Sequence, residues 1–255
     1  MVKPKKHLGQ HFLTDENISA RIVDSLTGFG DYKNVLEIGP GTGALTKFLV
    51  QKDWNLYLLE IDRESIIYLN TNYPDLSDRI ITGDFLDMDI EKVIKPPFAL
   101  IGNFPYNISS QIMFRVLEMK DDIPEIVGMF QKEVAERLVA PPGTRKTGIL
   151  TVLLQTWYDC EYLFTVDKEV FDPVPKVQSG VIRLKRNQRK SLEVDEKDFK
   201  RIIKLAFNQR RKTIRNSLKS VLNETDIDTS DPFFTKRPEQ LSVDEFIGLV
   251  KKLLS

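Results

Sequence analysis

Four residues, Asn103-Phe-Pro-Tyr106, bring together groups that can act jointly in chemistry. They follow the apolar run Phe98-Ala-Leu-Ile-Gly102, so they stand at the end of a predicted strand. Asn103 offers an amide oxygen. The carbonyl of Phe104 is a second acceptor, followed by a proline that has no N–H. Tyr106 offers a flat π face. Two acceptors beside an aromatic plate suit an exocyclic amine on a flat ring, an adenine or cytosine taken out of its stack. The plain alternative is a strand-end turn, because Asn and Pro both favour turns.

A second set of residues suits a nucleoside-bearing ligand. Glu37-Ile-Gly-Pro-Gly-Thr-Gly43 follows a predicted strand and opens a helix. Gly39 and Gly41 allow a tight turn and a close backbone approach, and with Ala44 they also fit the loose dinucleotide fingerprint. Glu60 ends the next strand, where a carboxylate can grip ribose hydroxyls. A nicotinamide dinucleotide and S-adenosylmethionine both present a ribose, so Glu60 does not choose between them. Asp84, in Gly83-Asp84-Phe85, ends the third strand, where it can accept from an adenine amine.

The elements that must hold these residues alternate. Apolar runs at Asn34–Ile38, Asn55–Glu60, Arg79–Thr82, Phe98–Ile101 and Glu125–Phe130 read as strands. Helical patterns at Ala44–Gln51, Arg63–Asn70, Ile108–Glu118, Lys132–Val139 and Ile149–Tyr158 lie among and after them. Cys160–Val166 and Gly180–Lys185 read as a closing antiparallel pair. Such alternation predicts an α/β fold, a parallel sheet covered by helices on both faces. From about Asn187 the pattern changes. Asp195–Asn208, Arg210–Leu222 and Ser242–Leu254 carry apolar residues at helical spacing, which predicts a small all-helical domain. The expected division is residues 1–187 and 188–255, with the boundary in the polar stretch Asn187–Glu193.

The chain has 255 residues, 41% of them apolar, enough for a sizeable core. No apolar run approaches a membrane span. Nothing apolar follows Met-Val-Lys-Pro-Lys-Lys at the start, so no secretory signal is expected. The single Cys160 excludes an internal disulfide framework, and His7 and His11 have no carboxylate or thiol cluster around them, so no metal site is expected. A reducing cytoplasm is the expected setting. Net charge is zero, but residues 183–219 hold 14 Lys and Arg against 4 Asp and Glu, a balance of +10, which leaves −10 on the rest. Phe199–Asn223 contains no acid at all, so opposite-sign pairs within it cannot neutralise its field. A basic block on an otherwise acidic chain is an electrostatic footprint for a nucleic acid.

The ordered series of a glycine turn, an acid after strand two, Asp84 after strand three and Asn103-Phe-Pro-Tyr106 after strand four resembles the class I methyltransferase fold. Dehydrogenases have no use for the fourth element. The tetrapeptide is similar to the N-(L/I)-P-Y form of the amino-methyltransferase signature found in rRNA adenine dimethyltransferases. Lys6-His-Leu-Gly-Gln-His-Phe-Leu13, Gln131-Lys-Glu-Val-Ala-Glu-Arg-Leu138 and Phe171-Asp-Pro-Val-Pro-Lys-Val-Gln-Ser179 resemble three further segments of that family. Ala206–Leu218 resembles the C-terminal domain of its bacterial small-subunit members. Two departures stand out: Phe104 where Leu or Ile is usual, and Gln178 where Asp or Asn is usual.

The resemblance covers roughly residues 3–250 and implies S-adenosylmethionine as methyl donor, held by His11, Leu13, Gly39, Gly41, Glu60, Asp84 and Asn103. It implies dimethylation of the exocyclic amine of two adjacent adenines near the 3′ end of small-subunit rRNA, coupled to small-subunit biogenesis. Asn103 Oδ1 and the Phe104 carbonyl would accept the two N–H bonds. Tyr106 and Phe171 would stack on the two faces of the flipped base, worth roughly 1–3 kcal/mol per base. Arg210, Arg211, Lys212, Arg215 and Lys219 would contact rRNA phosphates. The implied partner is the small ribosomal subunit, engaged by a monomer without a membrane. Two rival readings share these motifs: a large-subunit rRNA methyltransferase that confers antibiotic resistance, and an assembly factor that acts mainly by binding.

Overall fold

A seven-stranded sheet organises the first part of the chain in a computed structural model that describes residues 2–254. Met1 and Ser255, which the two expected domains include, lie outside the described residues. The strands are β1 (Asn34–Ile38), β2 (Asn55–Glu60), β3 (Ile80–Thr82), β4 (Phe98–Asn103), β5 (Glu125–Gln131), β6 (Tyr158–Val166) and β7 (Ser179–Arg186). Their spatial order is 3-2-1-4-5-7-6. Strands 1 to 5 pair in parallel, and β7 runs antiparallel to β5. Buried on both faces, β4 and β5 read as continuous apolar runs, as a covered parallel strand must. β2 and β3 are added on one side of β1 and β4 and β5 on the other, so the order switches at β1 and the loops after these parallel strands open onto one crevice.

A short antiparallel ribbon, Phe12–Leu13 with Phe171–Asp172, lies outside the main sheet and has no counterpart among the expected strands. It ties the N-terminal segment to the loop before β7. Asp15 then caps the helix Glu16–Val23 through the amides of Asn17 and Ile18, a bond set worth about 1 kcal/mol.

By contacts the chain forms two compact units. One runs to Glu136 and resumes over Asp159–Arg186; the other joins Arg137–Tyr158 to the chain from Asn187 onward. The helix Ile149–Trp157, which sequence order places in the first domain, therefore packs within the second unit, against Glu196–Asn208 and Val243–Leu254. Its apolar residues Val152, Leu153, Leu154 and Trp157 are buried on more than one side, which only a multi-sided packing satisfies. In Glu196–Asn208 the buried residues Phe199, Ile202, Ile203, Ala206 and Phe207 form one stripe, and Phe207 stacks on Phe246 at 6.1 Å. The expected helix Arg210–Leu222 is instead two single turns, Ile214–Ser217 and Lys219–Leu222. Thr213 is extended and Leu218 leaves helical geometry, which breaks the run twice.

Candidate active site

The crevice at the ends of β1, β2, β3 and β4 holds a cavity bordered by His11, Leu13, Gly39, Gly41, Glu60 and Asp84. Asn103, Phe104 and Tyr106 border the same cavity. Nine residues singled out from sequence thus meet in one place.

The glycine turn is built on positive φ: +64° at Gly39, +55° at Gly41 and +79° at Gly43. A Cβ at Gly41 would stand 2.8 Å from the Phe12 ring, whereas one at Gly39 would meet no atom within 4 Å. Gly41 therefore admits the N-terminal segment over the turn, and Gly39 leaves the cavity wall free of side chain.

Glu60 is 4% exposed, and its carboxylate accepts from the amides of Gly41 (3.0 Å), Ile61 (2.8 Å) and Asp62 (2.8 Å). Burial pushes its pKa up, and the three amides pull it back. Asp84 accepts from the Leu86 amide at 2.9 Å, which holds the head of its loop. Sequence reading gives no role to Glu37, yet it borders the cavity, is 2% exposed and accepts from Thr46 Oγ1 at 2.7 Å. Burial raises its pKa to about 8, and Glu60 nearby adds to the rise. The visible signal is an acid inside the apolar run Val35-Leu36-Glu37-Ile38. Lys5 is a further residue that sequence patterns do not single out; it bonds to Asp62, the cap of helix Arg63–Asn72. Asp62 is thereby held below the usual carboxylate range, since this bond and those to Ser65 outweigh burial.

On the other side of the cavity, Asn103 Nδ2 donates to the His11 carbonyl at 2.9 Å, which leaves Oδ1 as the acceptor. Phe104 N–H donates to Met129 O at 3.2 Å, and the Phe104 ring is 1% exposed. Its side chain is thus withdrawn into the core beside an anchored backbone. Tyr106 OH shares a 2.6 Å hydrogen bond with Ser179 Oγ, and burial raises the phenol pKa. The His11 ring stacks on Tyr106 at 5.6 Å and 25°, and its Nδ1 lies 2.6 Å from Pro173 O. His11 therefore borders both this cavity and a neighbouring groove that includes Tyr106, Gln131, Pro173 and Lys176.

Two of the expected site residues are packed into the chain itself. Phe171 is 3% exposed and packs in the core with Leu13, Ile22, Phe164 and Val181, because pairing with Leu13 turns it inward. Its ring is not presented to either cavity. Arg215 is half-buried and donates to the Thr229 carbonyl, with Asp228 close by, so it ties down a loop instead of facing solvent. Arg211, Lys212 and Lys219 are exposed, Arg210 is half-buried, and none of the four has an ion pair among the described residues. Gln178 joins Lys132 (3.1 Å) to Asp167 (2.7 Å). Among the described residues no cluster could hold a metal ion, and no helix is long and apolar enough to cross a membrane.

A sheet of this order, with a glycine turn after β1 and acids after β2 and β3, defines a class I S-adenosylmethionine-dependent methyltransferase fold. The chain matches the Ribosomal RNA adenine dimethylase family over residues 1–251, and it belongs to that family. It is 57% identical to Ribosomal RNA small subunit methyltransferase A of Parabacteroides distasonis, over 98% of this chain and 93% of that one. The protein of the same name from Flavobacterium johnsoniae is 57% identical over 99% of this chain and 96% of its own. Among solved structures, the fold is shared with a dimethyladenosine transferase from Plasmodium falciparum, with a TM-score of 0.75, 23% identity and 96% of both chains covered. The 23S rRNA methyltransferase ErmE is similar at TM-score 0.63 and 26% identity, covering 94% of this chain and 99% of that one.

Proposed function

We propose that this chain transfers methyl groups from S-adenosylmethionine to the exocyclic amines of two adjacent adenines near the 3′ end of small-subunit (16S) rRNA, leaving N6,N6-dimethyladenines, and that it does so during small-subunit biogenesis. The observation that carries the reading is the Asn103 amide. With Nδ2 committed to His11 O, Oδ1 is the acceptor, next in sequence to the Phe104 carbonyl and close to the Tyr106 ring. The 57% identity to proteins named for the small subunit, against 26% to one titled for 23S rRNA, favours the small-subunit substrate.

The residues fit the donor. Gly39 and Gly41 would pass along it closely, Glu60 and Asp84 would face its ribose and adenine, and His11 and Leu13 would close the near side. The donor supplies an electrophilic methyl group. An adenine amine is a weak nucleophile because its lone pair is delocalised into the ring. Two acceptors on its N–H bonds favour a tetrahedral nitrogen with a localised lone pair, and holding it in line removes much of the barrier. Positive charge growing on nitrogen is stabilised by both acceptors and by the Tyr106 face. No strong general base is needed, since the alkylated amine is acidic. A base that stacks on the His11 side of Tyr106 displaces the His11 ring. In the second transfer one N–H remains, so one acceptor goes unpaired.

The sheet unit would carry donor and base, and the basic segment around Arg211, Lys212 and Lys219 would dock rRNA phosphates, which set position and not sequence. The test is transfer of labelled methyl from donor to purified, unmethylated subunits. Label is expected in small-subunit adenines. Label confined to large-subunit RNA, or binding without label, overturns the reading.

A further inference from the structure

The residue that follows Asn103 is large, and two glycines make room for it. We propose that Gly128, on the strand next to β4, is a positioning residue for methyl transfer: by having no side chain it seats the Phe104 ring and so fixes the Phe104 carbonyl and the Asn103 amide. The inference rests on the role given above to those two acceptors.

Gly102 of β4 and Gly128 of β5 are register partners. A Cβ at Gly102 would stand 2.8 Å from Phe104 Cε1, and one at Gly128 only 2.3 Å from Phe104 Cε2. The two glycines therefore hold opposite edges of one ring. Phe130 meets the same ring edge-on at 5.2 Å and would itself lie 2.8 Å from a Cβ at Gly128. The two strands and Phe130 thus bound the ring on three sides. A methyl group at Gly128 needs its neighbour to retreat from 2.3 Å to about 3.4 Å, and a ring bounded on three sides passes that shift to its own backbone. The backbone concerned carries one acceptor and is bonded to the residue that carries the other. Gly102 is a poorer probe, because a Cβ there also meets Ile38 O at 2.7 Å. The family resemblance places Leu or Ile where this chain has Phe104, and a smaller side chain there would relieve the clash.

The experiment measures single-turnover methyl transfer to small subunits at saturating donor, at a temperature where every variant is folded, with donor affinity measured in parallel. Gly128→Ala is expected to be about 100-fold slower, the cost of a displacement near 1 Å, with donor affinity unchanged. Gly128→Ala with Phe104→Leu is expected to recover at least about tenfold of that loss, because the smaller side chain vacates the space. A purely structural glycine would lower stability in Gly128→Ala and leave its rate within about threefold of wild type, which overturns the proposal. A double variant no faster than Gly128→Ala also overturns it. Should Gly128→Ala alone fail to fold, the comparison is Phe104→Leu with and without it: an unchanged or higher rate is expected, and an approximately tenfold drop refutes the socket. Failure of wild type to methylate small-subunit adenines would contradict the functional reading itself, a result read before any variant is compared.

Discussion

Asn103 is held by one hydrogen bond from its amide nitrogen to His11 O, so its oxygen has a defined direction. Asn103→Ala is expected to slow single-turnover transfer by about 10²–10³ with the fold intact, the usual cost of removing one acceptor at a charged transition state. A rate near that of wild type would remove Asn103 from the chemistry. Glu60 is a different kind of residue. Its carboxylate gathers three backbone amides, and in the proposed reading it would face the donor's ribose and not the reacting amine, so its contribution would be nearly equal in ground and transition states. Glu60→Ala should weaken binding of S-adenosylhomocysteine in calorimetry more than it slows a saturated reaction; unchanged affinity would assign Glu60 to the fold alone. Glu37 yields a pH prediction. In the fold its carboxyl keeps a proton up to about pH 8, whereas an unperturbed glutamate loses it near 4.5. Between these limits the folded state binds more protons than the unfolded chain, so stability falls as pH rises through that window. Glu37→Gln should flatten this decline by an amount on the order of a few kcal/mol, visible in denaturant midpoints across the range. An unchanged slope would show that Glu37 ionises normally.

At the scale of elements, the ribbon between Phe12–Leu13 and Phe171–Asp172 decides what Phe171 does. Phe171→Ala should cost roughly 3–5 kcal/mol of stability, as large core truncations do, and thermal unfolding will show it. A stable variant with impaired use of RNA would instead return the ring to the base. The first four strands of the sheet are legible because each is an apolar run that stops at a glycine, an acid or Asn103. The two ends of the ribbon lie far apart in sequence and are two residues long, so no local pattern announces them. The prolines after Phe171 suggest a presented loop, and only the partner strand shows that the ring turns inward. Arg210–Leu222 reads as one helix because its apolar residues keep helical spacing; the backbone breaks at Thr213 and Leu218 are set by packing. The acids of the site are legible by position, but Glu37 reads as a strand residue until its burial is known.

On the scale of the molecule, the central contrast is a zero net charge with a basic segment in the helical unit. Reversing Arg211 and Lys212 should weaken binding to small subunits and lower the log–log salt slope by about 0.7–0.9 for each phosphate no longer neutralised, with donor affinity unchanged. Arg215→Ala should loosen the Thr229 loop and lower stability without that change in slope, since its guanidinium is spent on the chain itself. Equal slopes for wild type and the charge-reversed protein would mean that rRNA docks elsewhere. The claim on which everything rests is the product. Mass spectrometry of nucleosides and RNA fragments, after purified protein has acted on unmethylated small subunits with S-adenosylmethionine, reads it directly. The account predicts two adjacent N6,N6-dimethyladenosines near the 3′ end of the small-subunit rRNA, absent with Asn103→Ala; methylation of large-subunit RNA alone, or of no adenine, would contradict it.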